Sequence, residues 1–198
     1  MALDLDTPHG PARAHLHPAT DATALLVLGH GAGGGVGAPD LVAATAAAND
    51  VGVSVALVEQ PYRVAERRSP APAHQLDTAW TAVVDQLRED LQILCGGRSS
   101  GARVACRTAE ATGAAGVLCL AFPLHPPGRP EKTRLAELEA VEVPVLIIQG
   151  ESDPFGMPPE APGRGVVRVR GNHSLRSDKA TLSAAVGAWL QRLLSPVP

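Results

Sequence analysis

Residues 97–101 read Gly97-Arg98-Ser99-Ser100-Gly101, the G-x-S-x-G spacing in which a serine sits on a turn too tight for bulk at −2 or +2. Ser99 is the residue that has glycine at both of those positions, because Arg98 and Ala102 stand there for Ser100. A serine hydroxyl is a weak nucleophile until a neighbouring base takes its proton, and that base needs a third group to orient it. His173, in Arg170-Gly171-Asn172-His173-Ser174, is the candidate base. Gly150-Glu151-Ser152-Asp153-Pro154 offers two acids. Asp153 is the expected third member, and Glu151 is the fallback.

Acyl chemistry at a serine also needs N–H donors for the oxygen that becomes negative in the transition state. The run Gly29-His30-Gly31-Ala32-Gly33-Gly34-Gly35 is small enough for backbone to approach a substrate. The N–H groups of Ala32 and Ser100 are the expected pair, and His30 is expected to buttress the loop through a backbone bond. The run lacks the lysine of a phosphate-binding G-x-x-x-x-G-K-[ST] loop, which weakens a nucleotide-binding reading. Arg63, Arg98 and His125 are candidate substrate-binding residues. An acidic substrate paired with Arg63 or Arg98 is one expectation, and arginines that merely tie loops together are the other.

These residues must be positioned by strands and helices. Buried strands are predicted at Ala24–Leu28, Val53–Val58, Gln92–Cys95, Gly116–Leu120, Val145–Gln149 and Val166–Val169, from short apolar runs. Helices are predicted at Leu41–Asn49, Gln75–Glu89, Arg103–Ala111, Lys132–Val141 and Lys179–Leu194. In Gln75–Glu89, for example, Leu76, Trp80, Val83, Val84 and Leu87 share one face. The alternation implies an α/β fold with a mostly parallel central sheet of about six to seven strands and helices on both faces. Ligands of such sheets bind at the carboxyl ends of the strands. Each candidate residue follows its own strand, in the order Ser99, Asp153, His173.

The 198 residues are expected to form a single domain, 1–198. Aromatic residues are 3% of the chain, so Ala, Val and Leu must build the core. The net charge of −3 shows no basic block, and nucleic acid is not an expected partner. No apolar run approaches the ~18 residues of a membrane span, and the opening MALDLDTPHG has neither feature of a secretory leader. Cys95, Cys106 and Cys119 have no metal-ligand spacing and read as buried thiols. A cytoplasmic protein is expected. The expected partner is a small-molecule substrate, with no cofactor and no metal.

The chain resembles the α/β-hydrolase superfamily near its dienelactone-hydrolase-like branch. More narrowly, it resembles the cap-less group that contains the testis-expressed hydrolase-like protein and a subunit of the NSL histone-acetyltransferase complex. The matching segments are GHGAGG (29–34), VEQPYR (58–63), GGRSSGARVA (96–105), FPLHPPGRPE (122–131), VPVLIIQGESDPFG (143–156) and GNHSL (171–175). The resemblance implies Ser99, Asp153 and His173 as a catalytic triad. Ser100 departs from the Met common in relatives, and Asn172 from the Asp common before the histidine. The stretch between Leu120 and Val145 has no room for a cap, which predicts an open site. The expected function is a serine hydrolase, carboxylesterase- or thioesterase-like, acting on a small ester through an acyl-enzyme on Ser99. The alternative is a non-catalytic interaction module that keeps the fold, as some relatives do.

Overall fold

Strands β3 (Ala24–Gly29), β6 (Val117–Leu120) and β7 (Val145–Gly150) are buried at every position. Only a sheet covered on both faces accommodates such strands. The computed structural model describes residues 1–195. In it these strands join β1 (Ala2–Leu5), β2 (Ala12–His17), β4 (Val53–Glu59), β5 (Gln92–Arg98) and β8 (Arg164–Val169). The eight-stranded sheet has the order β1-β2-β4-β3-β5-β6-β7-β8. Strand β2 runs antiparallel to both β1 and β4, and every other pairing is parallel.

Helices α1 (Pro39–Asp50) and α6 (Lys179–Leu194) cover one face. Leu41, Ala48, Leu182 and Leu190 pack there with Leu94, Leu118 and Ile148 of the sheet. Helices α3 (Ala73–Leu87), α4 (Ser100–Arg107) and the short α5 (Leu135–Glu139) cover the other. Trp80, Val84, Val104 and Leu138 meet Cys95, Cys119 and Ile147 on that side. A further turn of helix, α2 (Pro61–Val64), follows β4. The three cysteines are buried and free.

The sheet has eight strands where the sequence predicts six or seven, and the difference lies at the N-terminal edge. Strands β1 and β2 carry polar, partly exposed residues, including an Arg13–Asp4 ion pair at 2.7 Å and a His15–Glu59 contact at 2.9 Å. Only β1 is the edge, but both strands carry exposed or half-exposed positions, and a strand of that kind needs no continuous apolar run, so its signal is faint. Strand β5 also runs three residues beyond its predicted end, through Gly96 and Gly97 to Arg98. Helix α4 starts at Ser100 rather than Arg103. Both shifts bring regular structure up against Ser99 from either side.

Candidate active site

Ser99 stands between the last residue of β5 and the first of α4, at φ 52° and ψ −109°. Positive φ is costly for a residue with a Cβ, roughly 1–3 kcal/mol, and it persists where the surroundings fix it. The Ser99 N–H donates to the Leu120 carbonyl of β6 at 2.9 Å. The glycines on either side have a steric reason. A Cβ at Gly97 would lie 2.6 Å from the Gly29 carbonyl oxygen, and one at Gly101 would lie 2.5 Å from the same atom. The elbow is therefore wedged against the end of β3, and the serine stands beyond the carboxyl end of the central strands.

Strand β7 and the loop after β8 bring the other two residues to it. His173 Nδ1 lies 2.8 Å from Asp153 Oδ2, and His173 Nε2 lies 2.9 Å from Ser99 Oγ. A carboxylate only accepts, so Nδ1 carries the proton and Nε2 is left to accept from the serine hydroxyl. The Asp153 side chain is 1% exposed and that of His173 18%. The carboxylate is fully engaged. Oδ2 also accepts from Gln149 Nε2 at 2.8 Å, and Oδ1 accepts from the Phe155 N–H at 2.8 Å. Gln149 itself is buried, and its Nε2, with two hydrogens to share, also lies 3.1 Å from the Phe122 carbonyl and 2.9 Å from the Gly156 carbonyl. The Phe155 ring lies over His173, with centroids 4.2 Å apart and planes tilted by 32°.

The two loops are sewn together below the ring. Ser152 donates to the Gly171 carbonyl through both its N–H and its hydroxyl, at 3.0 and 2.9 Å. A Cβ at Gly150 would meet the Asn172 carbonyl oxygen at 2.5 Å. Asn172 Oδ1 accepts from the Ser174 N–H at 3.1 Å and the Ser174 hydroxyl at 2.9 Å. An Asx turn of this kind is what the position asks for, so asparagine holds the loop without aspartate's charge.

Ala32 and Ser100 flank Ser99. Ser100 opens α4, where the first N–H groups of a helix have no partner within it. Neither the Ser100 nor the Ala32 N–H donates to a protein group among the described residues. The loop after β3 is held so that its carbonyls turn away. His30 Nδ1–H donates to the Gly31 carbonyl at 2.8 Å, and the Tyr62 hydroxyl donates to the Ala32 carbonyl at 2.9 Å. His30 Nε2 accepts from the Gln60 N–H at 3.1 Å. Burial pushes the His30 imidazole below its ordinary range, consistent with a neutral ring locked between one donor and one acceptor. The 58–63 segment thus acts as a brace for the loop after β3.

The three candidate substrate residues are not brought to one place. Arg98 lines the larger cleft beside Ser99. Its guanidinium is already engaged, with Nε 2.9 Å from the buried Asp40 carboxylate and Nη2 donating to the His173 carbonyl at 3.0 Å. It ties α1 to the histidine loop. Burial outweighs Arg98 and raises the Asp40 carboxyl above its usual range. Arg63, on α2, lines neither cleft that reaches Ser99. His125 is also absent from both; its ring rests on Gly156 and its N–H donates to the Phe155 carbonyl at 3.0 Å, supporting the turn after Asp153 from behind. Glu151, the fallback acid, is exposed. Gln149, Phe155 and Asp40 escape a reading of the sequence because a lone Gln, Phe or Asp carries no spacing signal.

Two clefts meet at Ser99. The larger, about 640 Å³, is floored by Gly33, Gly34 and Gly35 and walled by His173. The smaller, about 320 Å³, lies on the Ser100 side. Among the described residues no separate cap covers either one. The fold and this hydrogen-bonded Ser–His–Asp chain define an α/β hydrolase architecture. Residues 22–182 match the family model described as Alpha/beta hydrolase domain, and the chain belongs to that family. Its fold is shared by Est1E from Butyrivibrio proteoclasticus, with a TM-score of 0.80, 18% identity, and coverage of 98% of this chain and 99% of that one. It is shared also by XC6422 from Xanthomonas campestris, titled a serine hydrolase without lid, with a TM-score of 0.78, 21% identity, and coverage of 100% and 96%. Dienelactone hydrolase from Anabaena variabilis follows at a TM-score of 0.74 and 17% identity, covering 97% and 96%. No curated protein matches the sequence.

Proposed function

We propose that this protein is a serine hydrolase that cleaves small ester-like substrates through an acyl-enzyme on Ser99. The observation that carries the reading is the continuous hydrogen-bonded chain from Ser99 Oγ through His173 to the buried Asp153 carboxylate. Ser99 Oγ attacks the substrate carbonyl as its proton passes to His173 Nε2. The Ala32 and Ser100 N–H groups receive the oxyanion, each contributing about 3 kcal/mol of transition-state stabilisation. His173 returns the proton to the leaving oxygen or sulfur as the C–O or C–S bond breaks. Water then attacks the acyl-enzyme, His173 takes its proton, and the acid is released with Ser99 restored. The Asp153 carboxylate stabilises the imidazolium in both halves. An open site with no cap favours small or exposed esters and thioesters.

Labelling by a fluorophosphonate, read by intact mass, tests this directly. Wild type is expected to take one label at Ser99, and Ser99→Ala none. Asp153→Asn should label roughly 10³–10⁴-fold more slowly, because the amide favours the wrong histidine tautomer. A folded wild-type protein that takes no label would overturn the proposal in favour of a non-catalytic interaction module.

A further inference from the structure

The two clefts at Ser99 are not equivalent, because His173 walls only the larger one. In acyl transfer the leaving group departs toward the histidine, which returns its proton. The acyl chain then runs the other way, past Ser100 into the smaller cleft. This assignment rests on the serine-hydrolase reading. The smaller cleft is lined by the apolar Leu76, Pro123 and Phe155 and by three arginines, Arg103, Arg107 and Arg134.

Two of those arginines are neutralised. Arg103 grips Glu137 with two bonds, at 2.8 and 2.5 Å. Arg107 grips Asp77 with two bonds, at 2.8 and 2.6 Å, and also reaches Glu137 at 3.4 Å. All four carboxylate oxygens are thereby occupied. Arg134 forms no ion pair among the described residues. Its backbone N–H donates to the Leu124 carbonyl at 2.7 Å and its side-chain Nη1 to the Pro123 carbonyl at 2.8 Å. Nε and Nη2 have no protein acceptor among the described residues and are left for a ligand. Burial, and then the charge of Arg103, pulls the Arg134 guanidinium below its usual range. The charge of the nearby Glu137 acts the other way, and the guanidinium remains charged at neutral pH.

We propose that the smaller cleft is a subsite for an acyl group ending in a carboxylate, that is, a monoester or monothioester of a short dicarboxylic acid, with Arg134 as the carboxylate's partner. The aliphatic stem lies along Leu76, Pro123 and Phe155. The sequence candidates for an acidic substrate, Arg63 and Arg98, are replaced in this role by a residue at the start of α5.

The test compares mono-(4-nitrophenyl) glutarate and adipate with their uncharged methyl-capped diesters of the same length. Wild type is expected to favour the mono-acids in kcat/KM, with the preference shrinking as salt rises and screens the pair. Arg134→Gln should lower the ratio of mono-acid to capped ester by about 10- to 100-fold, as expected for a charge-assisted bond. Arg134→Lys should retain part of the ratio, and Arg129→Gln, an equal charge change on an exposed site, should retain all of it. An unchanged ratio in Arg134→Gln overturns the inference. Where Arg134→Gln does not fold, a wild-type preference for the capped esters, or one insensitive to salt, overturns it instead. Binding to Ser99→Ala separates this inference from the hydrolase reading. Tighter binding of monoethyl adipate than of diethyl adipate, lost in Ser99→Ala/Arg134→Gln, supports the subsite even if no ester is cleaved. Equal binding of the two sinks the subsite even if esters are cleaved.

Discussion

At the residue scale, the site depends as much on buried braces as on the three residues in line. His30 shows why. Its ring donates to the Gly31 carbonyl and accepts from the Gln60 N–H, so only the neutral form satisfies both partners. Burial lowers its pKa below the ordinary value of 6.5. As pH falls, the unfolded chain takes up this proton before the native protein does, so native stability drops. The contribution of His30 is complete above pH about 6.5 and is lost progressively as the pH falls toward the lowered native value. Asp40 acts in the opposite sense, since its raised carboxyl disfavours the native state as pH rises above the ordinary 3.8. Comparing variants isolates the histidine. The melting temperature of wild type should hold from pH 8 to 6.5 and fall from 6.5 to 5. His30→Asn should be less stable at pH 8 by about 1–3 kcal/mol and should lose less over the acid window. A wild type and variant whose melting temperatures fall in parallel would remove His30 from this role.

At the element scale, the strand ends decide the chemistry, and much of that was legible in the sequence. The six strands β3 to β8 are legible as apolar runs, and Ser99, Asp153 and His173 each follow one of them, so type and order together pointed to the elbow, the acid turn and the histidine loop. The last helix, Lys179–Leu194, matches its predicted bounds. The reach of β5 was hidden because Gly96 and Gly97 look like loop. They are strand residues with no space for a side chain, since a Cβ at Gly96 would lie 2.5 Å from the Leu118 carbonyl oxygen. The partners of Arg98 and His125 were hidden, because sequence reports charge and type but not which carboxylate or carbonyl already engages them. The glycines themselves give a sharp test. Gly97→Ala puts a Cβ 2.6 Å from the Gly29 carbonyl oxygen and should destabilise by about 2–4 kcal/mol in urea unfolding. Gly35→Ala, with nothing within 4 Å, should change stability by less than about 0.5 kcal/mol. Equal effects at both positions would mean that the elbow relaxes and that close packing against β3 does not hold Ser99 in place.

At the scale of the whole molecule, the question is what covers the site. Between the end of β6 at Leu120 and the start of β7 at Val145, only the five-residue α5 is helical. That stretch is pinned to its surroundings. Arg134 bonds the Pro123 and Leu124 carbonyls, and Glu137 is clasped by Arg103 and Arg107 of α4. A segment tied down this way is a wall of the smaller cleft rather than a lid that opens. Among the described residues, no helix is long and apolar enough to cross a membrane. No separate cap stands over the clefts among the described residues, and gating by a cover requires an element with two arrangements. Initial rates on short-chain esters should therefore follow simple saturation through the solubility limit of the substrate, and adding an emulsified ester should produce no jump. A rise of tenfold or more at the onset of emulsion would require a mobile cover, and the segment from 121 to 144 would have to be that element. A flat response leaves catalysis to depend on the two clefts and on the chemistry their walls present to a substrate arriving from water.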